Sequence, residues 1–389
     1  MADRLTKKGV EEFAAVAAEH VGDDKVPGLV ALVACGEQTH VEALGSLSVG
    51  GPPVERDSLF RIASTTKPLT AATTLALVGE GQFELDEPVE RLLPELSHPE
   101  VLRRMDGPLE DTVPTHRPIT VRDLLTFTFG FGMALETFMA PEPWPIVTAS
   151  EELHLCTLGP PDPQVQPDPD TWIAALGFLP LLAHPGERWL YNTGASVLGV
   201  LAARAAREPF ADVLRTRVLE PLGMSDTSMW TTETERLATS YIPTDHGLEV
   251  GDPPDGAWSK QPAFGDAASG LVSTADDLLA FARMLLRGGS PVLSETAVEE
   301  MTSDQLTAEQ KERDGHGVLF GRSWAFCQSV ITHGPRRGAF GWDGGLGTSW
   351  LVDPSRDPAV IVLTQRMFES PEPPRVHTAI QDAAYRALR

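Results

Sequence analysis

The chain has 389 residues, 42% of them hydrophobic, and a formal charge of −24 from 31 Lys and Arg against 55 Asp and Glu. That is enough apolar material for one large domain or two lobes. So acidic a surface repels nucleic acid and anionic membranes, and both are set aside as partners.

The opening Met-Ala-Asp-Arg has no apolar signal core, and no apolar run is long enough to span a bilayer, so a soluble cytoplasmic protein is expected. Cys35, Cys156 and Cys327 are odd in number and widely spaced, which suits reduced, packed thiols. No Cys-x-x-Cys or His-Glu-x-x-His is present, and nothing argues for a metal or a cofactor. Oligomeric state has no signature in the sequence.

In chain order, residues 7–21 read as an amphipathic helix with Val10, Phe13, Ala14, Val16, Ala17 and Val21 on its apolar side. Residues 29–35 and 40–45 read as a hairpin of two strands. A helix follows from about Ser64, with Gly79 and Gly81 after it. Further helical patterns cover 121–127, 195–207 and 210–218. Between the first two of these lies a proline-rich stretch, 141–171, read as an extended surface loop bordering a substrate pocket. Thr274, with Asp277 three residues on, caps a helix at 275–286 that Gly288-Gly289 closes. Residues 323–331, 347–352 and 359–365 have strand character, and 376–388 form a last helix. The expected fold is α/β (α+β): an antiparallel five-stranded sheet from both ends of the chain, flanked by helices. The expected domains are 1–85 with 265–389 for the sheet, and 86–264 as a mainly helical insertion.

The chemistry concentrates in A-S-T-T-K-P, residues 63–68. Ser64 is a natural N-cap, and Pro68 is tolerable only in a first helical turn, so the helix starts near Ser64 or Thr65. A capping box would place Glu or Gln three residues after the cap, but this chain has Lys67, a cation at the positive end of a helix dipole. The spacing of three puts Ser64 and Lys67 on one side of the turn. A serine hydroxyl attacks a carbonyl only when a base takes its proton, and a lysine is that base only when neutral. A position poor for a structural lysine therefore suits a catalytic one. Ser-x-x-Lys alone has little specificity, and its bland reading is a cap followed by a solvated lysine.

The surrounding residues add more. D-S-L-F-R-I-A-S-T-T-K-P-L-T-A-A, P-G-E-R-W-L-Y-N-T-G-A-S, S-G-L-V-S-T-A-D-D-L and G-W-D-G-G-L-G-T-S-W-L-V-D-P, in this order, resemble the serine β-lactamase and penicillin-binding-protein superfamily. The resemblance is closest to the class C branch and within it to family VIII carboxylesterases. It implies a β-lactamase/transpeptidase-like fold. It also implies a nucleophile Ser64 with Lys67, and a tyrosine, Tyr191, that shares the proton transfers. A third element is Trp342-Asp343-Gly344, which lines the substrate site. The N–H groups of Ser64 and Gly345 form the implied oxyanion hole. Two departures narrow the function. Thr193 stands where the family's Tyr-x-Asn has its asparagine, and Trp342 stands where Lys-Thr-Gly has its lysine. A one-residue slip would turn Asp343 rather than Trp342 to the site, because strand side chains alternate.

The leading reading is thus a serine carboxylesterase acting on small or medium-chain esters through a Ser64 acyl-enzyme, its partner a small-molecule ester or amide. A β-lactamase, D-amino-acid peptidase or amidase, an acyltransferase, and a non-catalytic binding protein on the same fold are the alternatives. An α/β-hydrolase is disfavoured by the lack of Gly-x-Ser-x-Gly.

Overall fold

A computed structural model describes residues 4–22, 25–155, 160–314, 319 and 321–389. Cys156 lies outside these; Cys35 and Cys327 are buried.

The sheet is built around the two most apolar runs. Strands β1 (Gly28–Cys35) and β2 (Gln38–Gly45) form the expected hairpin. Late in the chain come β3 (Ser323–Trp324), β4 (Ser329–Val330), β5 (Phe340–Gly344), β6 (Thr348–Val352) and β7 (Pro358–Thr364). The strand order is β2-β1-β7-β6-β5-β4-β3, antiparallel throughout, with Leu29 opposite Thr364 and Cys35 opposite Pro358. All residues of β1 and β7 are buried, as strands covered on both faces must be.

Among the described residues the sheet has seven strands where five were expected. The run 323–331 breaks at Cys327, whose φ is 54°, into the short hairpin β3–β4. Strand β5 is read poorly from its residues because Gly341, Asp343 and Gly344 are weak strand formers.

Side-chain alternation assigns the two faces. Leu29, Ala31 and Val33 pack with Val360 and Val362 against α1 (Lys7–Glu19) and the C-terminal helix Arg375–Ala387, through Phe13, Ala17, Ile380 and Ala384. Val30, Leu32 and Ala34 point the other way, into the main core. That core takes in α2 (Thr66–Gly79), α3 (Val121–Thr126), α4 (Thr193–Ala206) and α5 (Ala275–Leu286). Apolar side chains from both expected domains therefore share one contiguous cluster. The caps of α3 and α5 follow their sequence signals: Thr120 and Asp123 make a reciprocal capping box, and Thr274 accepts from the Asp277 N–H.

The proline-rich stretch is not extended throughout. Pro145 and Pro169 each occupy the first position of a helix, Pro145–Glu152 and Pro169–Gly177. There the missing N–H costs nothing and the fixed φ is already helical. Asp168 caps the second helix, accepting from the N–H groups of Asp170 and Thr171. Between the N- and C-terminal parts the chain also forms two small hairpins, Glu100–Leu102 with Thr112–Pro114 and Ser240–Thr244 with Gly247–Asp252. Among the described residues no helix is long and apolar enough to cross a membrane.

Candidate active site

Ser64 lies in a 3₁₀ turn, Ala63–Thr65, that leads directly into α2. It does not serve as the expected N-cap: no side chain caps either the turn or the helix. Its oxygen is engaged elsewhere, accepting from Lys67 Nζ at 2.8 Å and from the Tyr191 hydroxyl at 2.8 Å. Pro68 is the third residue of α2, which agrees with its role as a first-turn marker. Ala63 holds φ 44°, a left-handed value that costs a non-glycine residue energy and is kept only where surroundings enforce it. Here it sets the turn that presents Ser64.

Lys67 is fully buried. Nζ donates to Ser64 Oγ and, at 2.9 Å, to the Ala268 carbonyl, and lies 4.7 Å from the centre of the Tyr191 ring. Among the described residues no carboxylate bonds it. A lysine so placed holds its nitrogen in one spot, within proton-transfer distance of the serine.

Tyr191 is fixed from both sides. Its backbone exchanges two hydrogen bonds with Met133, each 2.9 Å. Immediately after it the chain turns sharply: Asn192 has φ 83° and ψ −62°, and Thr193 N–H donates to the Tyr191 carbonyl at 3.2 Å. This is a strained γ-turn, and it aims the phenol away from α4 toward Ser64. Thr193, at the position of the family's asparagine, is buried, and among the described residues its hydroxyl has no hydrogen-bond partner. It does not line the cavity over Ser64.

Strand β5 closes the site. Trp342 Nε1 donates to Tyr191 Oη at 2.7 Å. Asp343 turns instead to Ser349, whose hydroxyl donates to it at 2.6 Å, and to Arg322 at 3.6 Å. The register is therefore the one that brings Trp342 to the tyrosine. Gly344 is required: a Cβ there would sit 2.2 Å from the Ile62 carbonyl oxygen and 2.2 Å from Thr348 Oγ1. Its absence lets β5 lie against the turn that carries Ser64. Gly345 faces open space and borders the cavity.

Sequence reasoning missed the aromatic wall. Phe127, Trp189, Trp324 and Trp342 surround Tyr191, with Trp324 perpendicular to Trp342 at 4.7 Å and tilted against Phe127 at 5.0 Å. For Trp189 a signal existed, since in an extended W-L-Y segment residues 189 and 191 share a face. The Ala268 carbonyl had none, because a backbone acceptor has no residue type.

The cavity over Ser64 has a volume of about 450 Å³. Its walls are largely apolar, with Met133, Pro160, Leu346, Met367 and Phe368 around Ser64, Tyr191 and Trp342. The proline-rich stretch reaches it at Pro160, Pro161 and Gln166. A second cleft, of about 710 Å³, lies at the C-terminal end of α2; its Ser294 caps a helix, accepting from the Ala297 N–H at 3.2 Å.

These residues lie within a recognised sequence pattern. A model of the beta-lactamase family matches residues 13–385. The chain belongs to the beta-lactamase family. It is 39% identical over 335 residues to Protein Rv1367c of Mycobacterium tuberculosis, covering 81% of this chain and 79% of that protein. It is 30% identical over 382 residues to Esterase EstB of Burkholderia gladioli, covering 93% and 91%. Its fold is similar to that of EstCE1, described as a hydrolase with promiscuous acyltransferase activity, with a TM-score of 0.80 at 24% identity over 97% of this chain and 99% of that one. The expected β-lactamase/transpeptidase-like fold is thereby borne out.

Proposed function

We propose that this beta-lactamase-family protein is a serine carboxylesterase that cleaves small or medium-chain esters through an acyl-enzyme on Ser64. The observation that carries the reading is the single oxygen, Ser64 Oγ, held 2.8 Å from both Lys67 Nζ and Tyr191 Oη. Lys67 and Tyr191 act as one proton-transfer pair, taking the Ser64 proton as Oγ attacks the ester carbonyl. The indole N–H of Trp342 stabilises negative charge on Tyr191 Oη when that oxygen gives up its proton. The substrate oxyanion sits between the N–H groups of Ser64 and Gly345. The alcohol departs with a proton from the pair, and water activated by the same pair releases the acid.

Two features favour an ester over an amide or β-lactam. Trp342 commits its only donor to Tyr191 and leaves an apolar face where the family's lysine would hold a carboxylate. The buried Thr193 hydroxyl contributes no contact for an amide side chain. The 30% identity to Esterase EstB supports the same choice. Acyl transfer is a second reading, favoured by a cavity with room for an acceptor alcohol beside a short acyl group.

The test is turnover of p-nitrophenyl butyrate and of a chromogenic cephalosporin by the wild type and Ser64→Ala. Ester hydrolysis that vanishes in Ser64→Ala, with little cephalosporin turnover, is expected. Cephalosporin turnover exceeding ester turnover would overturn the esterase assignment.

A further inference from the structure

Among the described residues Lys67 has no carboxylate to hold it, and the acceptor that seats it beside Ser64 is a backbone carbonyl, that of Ala268. What fixes that carbonyl is the buried carboxylate two residues earlier. Asp266 is 7% exposed. Its Oδ1 accepts from Ser196 Oγ at 2.7 Å and from the Ala268 N–H at 3.0 Å, and its Oδ2 accepts from Ser269 Oγ at 2.6 Å. Its own carbonyl accepts from Gly270 N–H at 2.9 Å. Residues 266–270 are thus drawn into a tight turn around one side chain. The turn presents two successive carbonyls to α2: Ala267 accepts from Thr70 Oγ1 at 2.6 Å, and Ala268 accepts from Lys67 Nζ at 2.9 Å.

The third partner adds a second link. Ser196 belongs to α4, the helix that begins two residues after Tyr191. Asp266 therefore ties the helix behind Tyr191 to the carbonyl that seats Lys67. Its donors are two hydroxyls and a peptide N–H, all neutral, which a carboxylate or a carboxamide oxygen can both accept. Burying such a group is costly unless it is fully bonded, and here it is bonded at both oxygens.

We infer that Asp266 is a positioning residue that holds the Lys67 acceptor and the Tyr191 helix in one rigid frame, and so sets the reactivity of Ser64. The inference rests on the proposed nucleophile but on no particular substrate. It concerns placement, so the neutral amide should replace the acid, whereas a methyl should not.

The experiment measures the rate at which a fluorophosphonate probe labels Ser64, located by peptide mass spectrometry, in wild type, Asp266→Ala, Asp266→Asn and Ser196→Ala. Misplacement of a base by about 1 Å costs on the order of a hundredfold, so labelling in Asp266→Ala should slow by about 10- to 100-fold. Asp266→Asn keeps the acceptor for Ser196 and Ala268 and should stay within about fivefold of wild type. On p-nitrophenyl butyrate the loss in Asp266→Ala should fall on kcat with KM unchanged, measured where circular dichroism shows the variant folded. If Asp266→Ala does not fold, Ser196→Ala, which cuts only the link to α4, should still slow labelling by about threefold or more. Wild-type labelling rates in both alanine variants would overturn the inference while leaving the nucleophile assignment intact. Asp266→Asn as slow as Asp266→Ala would overturn the placement argument. A wild type that the probe does not label at Ser64 would overturn the nucleophile assignment, and this inference with it.

Discussion

Trp342→Phe tests one hydrogen bond. Phenylalanine keeps an aromatic ring against Trp324, which meets the present indole edge-on at 4.7 Å, and against Tyr191 at 5.6 Å. It removes the N–H that reaches Tyr191 Oη at 2.7 Å, together with the rest of the five-membered ring. A hydrogen bond to a group that carries charge contributes about 1.5–3 kcal/mol. Oη carries that charge in the form of the pair that is ready to accept the Ser64 proton, so losing the bond makes that form rarer, and at about 1.4 kcal/mol per tenfold it slows acylation by about 10- to 150-fold. Ground-state binding of the ester does not involve the bond, so the binding constant read from the dependence of the burst rate on ester concentration should stay within about threefold. Stopped-flow measurement of the p-nitrophenol burst reads acylation directly, and near-ultraviolet circular dichroism checks that the aromatic wall is kept. An acylation rate within twofold of wild type, with the wall intact, would refute the role given to the indole.

Gly344→Ala should lower the thermal midpoint and abolish most ester turnover, because its Cβ has 2.2 Å to the Ile62 carbonyl oxygen. Gly345→Ala meets open space and should fold with an unchanged midpoint, which differential scanning calorimetry decides. Thr193→Val removes a buried hydroxyl without a partner at nearly constant shape, and should stabilise the fold by about 1 kcal/mol in urea unfolding. His377 is fully buried, and burial holds its imidazole below the ordinary 6.5, against the opposing pull of Asp343. The unfolded chain therefore takes a proton first: stability is full above about pH 6.5 and falls as the pH drops below it, by up to about 1.4 kcal/mol per pH unit for this group. His20, also lowered mainly by burial, adds to the same slope. Urea midpoints between about pH 7.5 and pH 5.5 should show the loss, and His377→Gln should reduce it; an unchanged slope would remove His377 as its source.

The parts of the site legible in the sequence are those where chemistry demands a residue type. A lysine one turn after a serine, a tyrosine before a buried helix and a tryptophan on a strand with small neighbours each have a reason to be noticed, and Ser64, Lys67, Tyr191 and Trp342 do converge. Asp343 and Gly344, read as lining the pocket, play different parts. Asp343 borders the cavity but bonds Ser349, and Gly344 is the close-approach point of β5. What stayed hidden depends on tertiary context. The Ala268 carbonyl is invisible by type. Ser64 resembles a cap by local rules, yet two long-range donors claim its oxygen. Strand β5 exists because β6 and β4 pair with it, against the preference of its glycines. Proline misled in the opposite sense: at 145 and 169 it opens helices that a composition-based reading takes for loop. The buried runs of β1 and β7 needed no such context, since residues 29–35 and 359–363 are unbroken apolar stretches of the kind a strand covered on both faces requires.

The central claim is that Ser64 is a nucleophile activated by Lys67 and Tyr191. The most direct measurement is intact-protein and peptide mass spectrometry on samples quenched milliseconds after mixing with p-nitrophenyl butyrate, in wild type and Lys67→Ala. The account predicts a butyryl group on the peptide containing Ser64 in the wild type, and none at the same times in a Lys67→Ala variant that folds normally. Acylation of Ser64 at the wild-type rate without Lys67, or a butyryl group on any other residue, would contradict it.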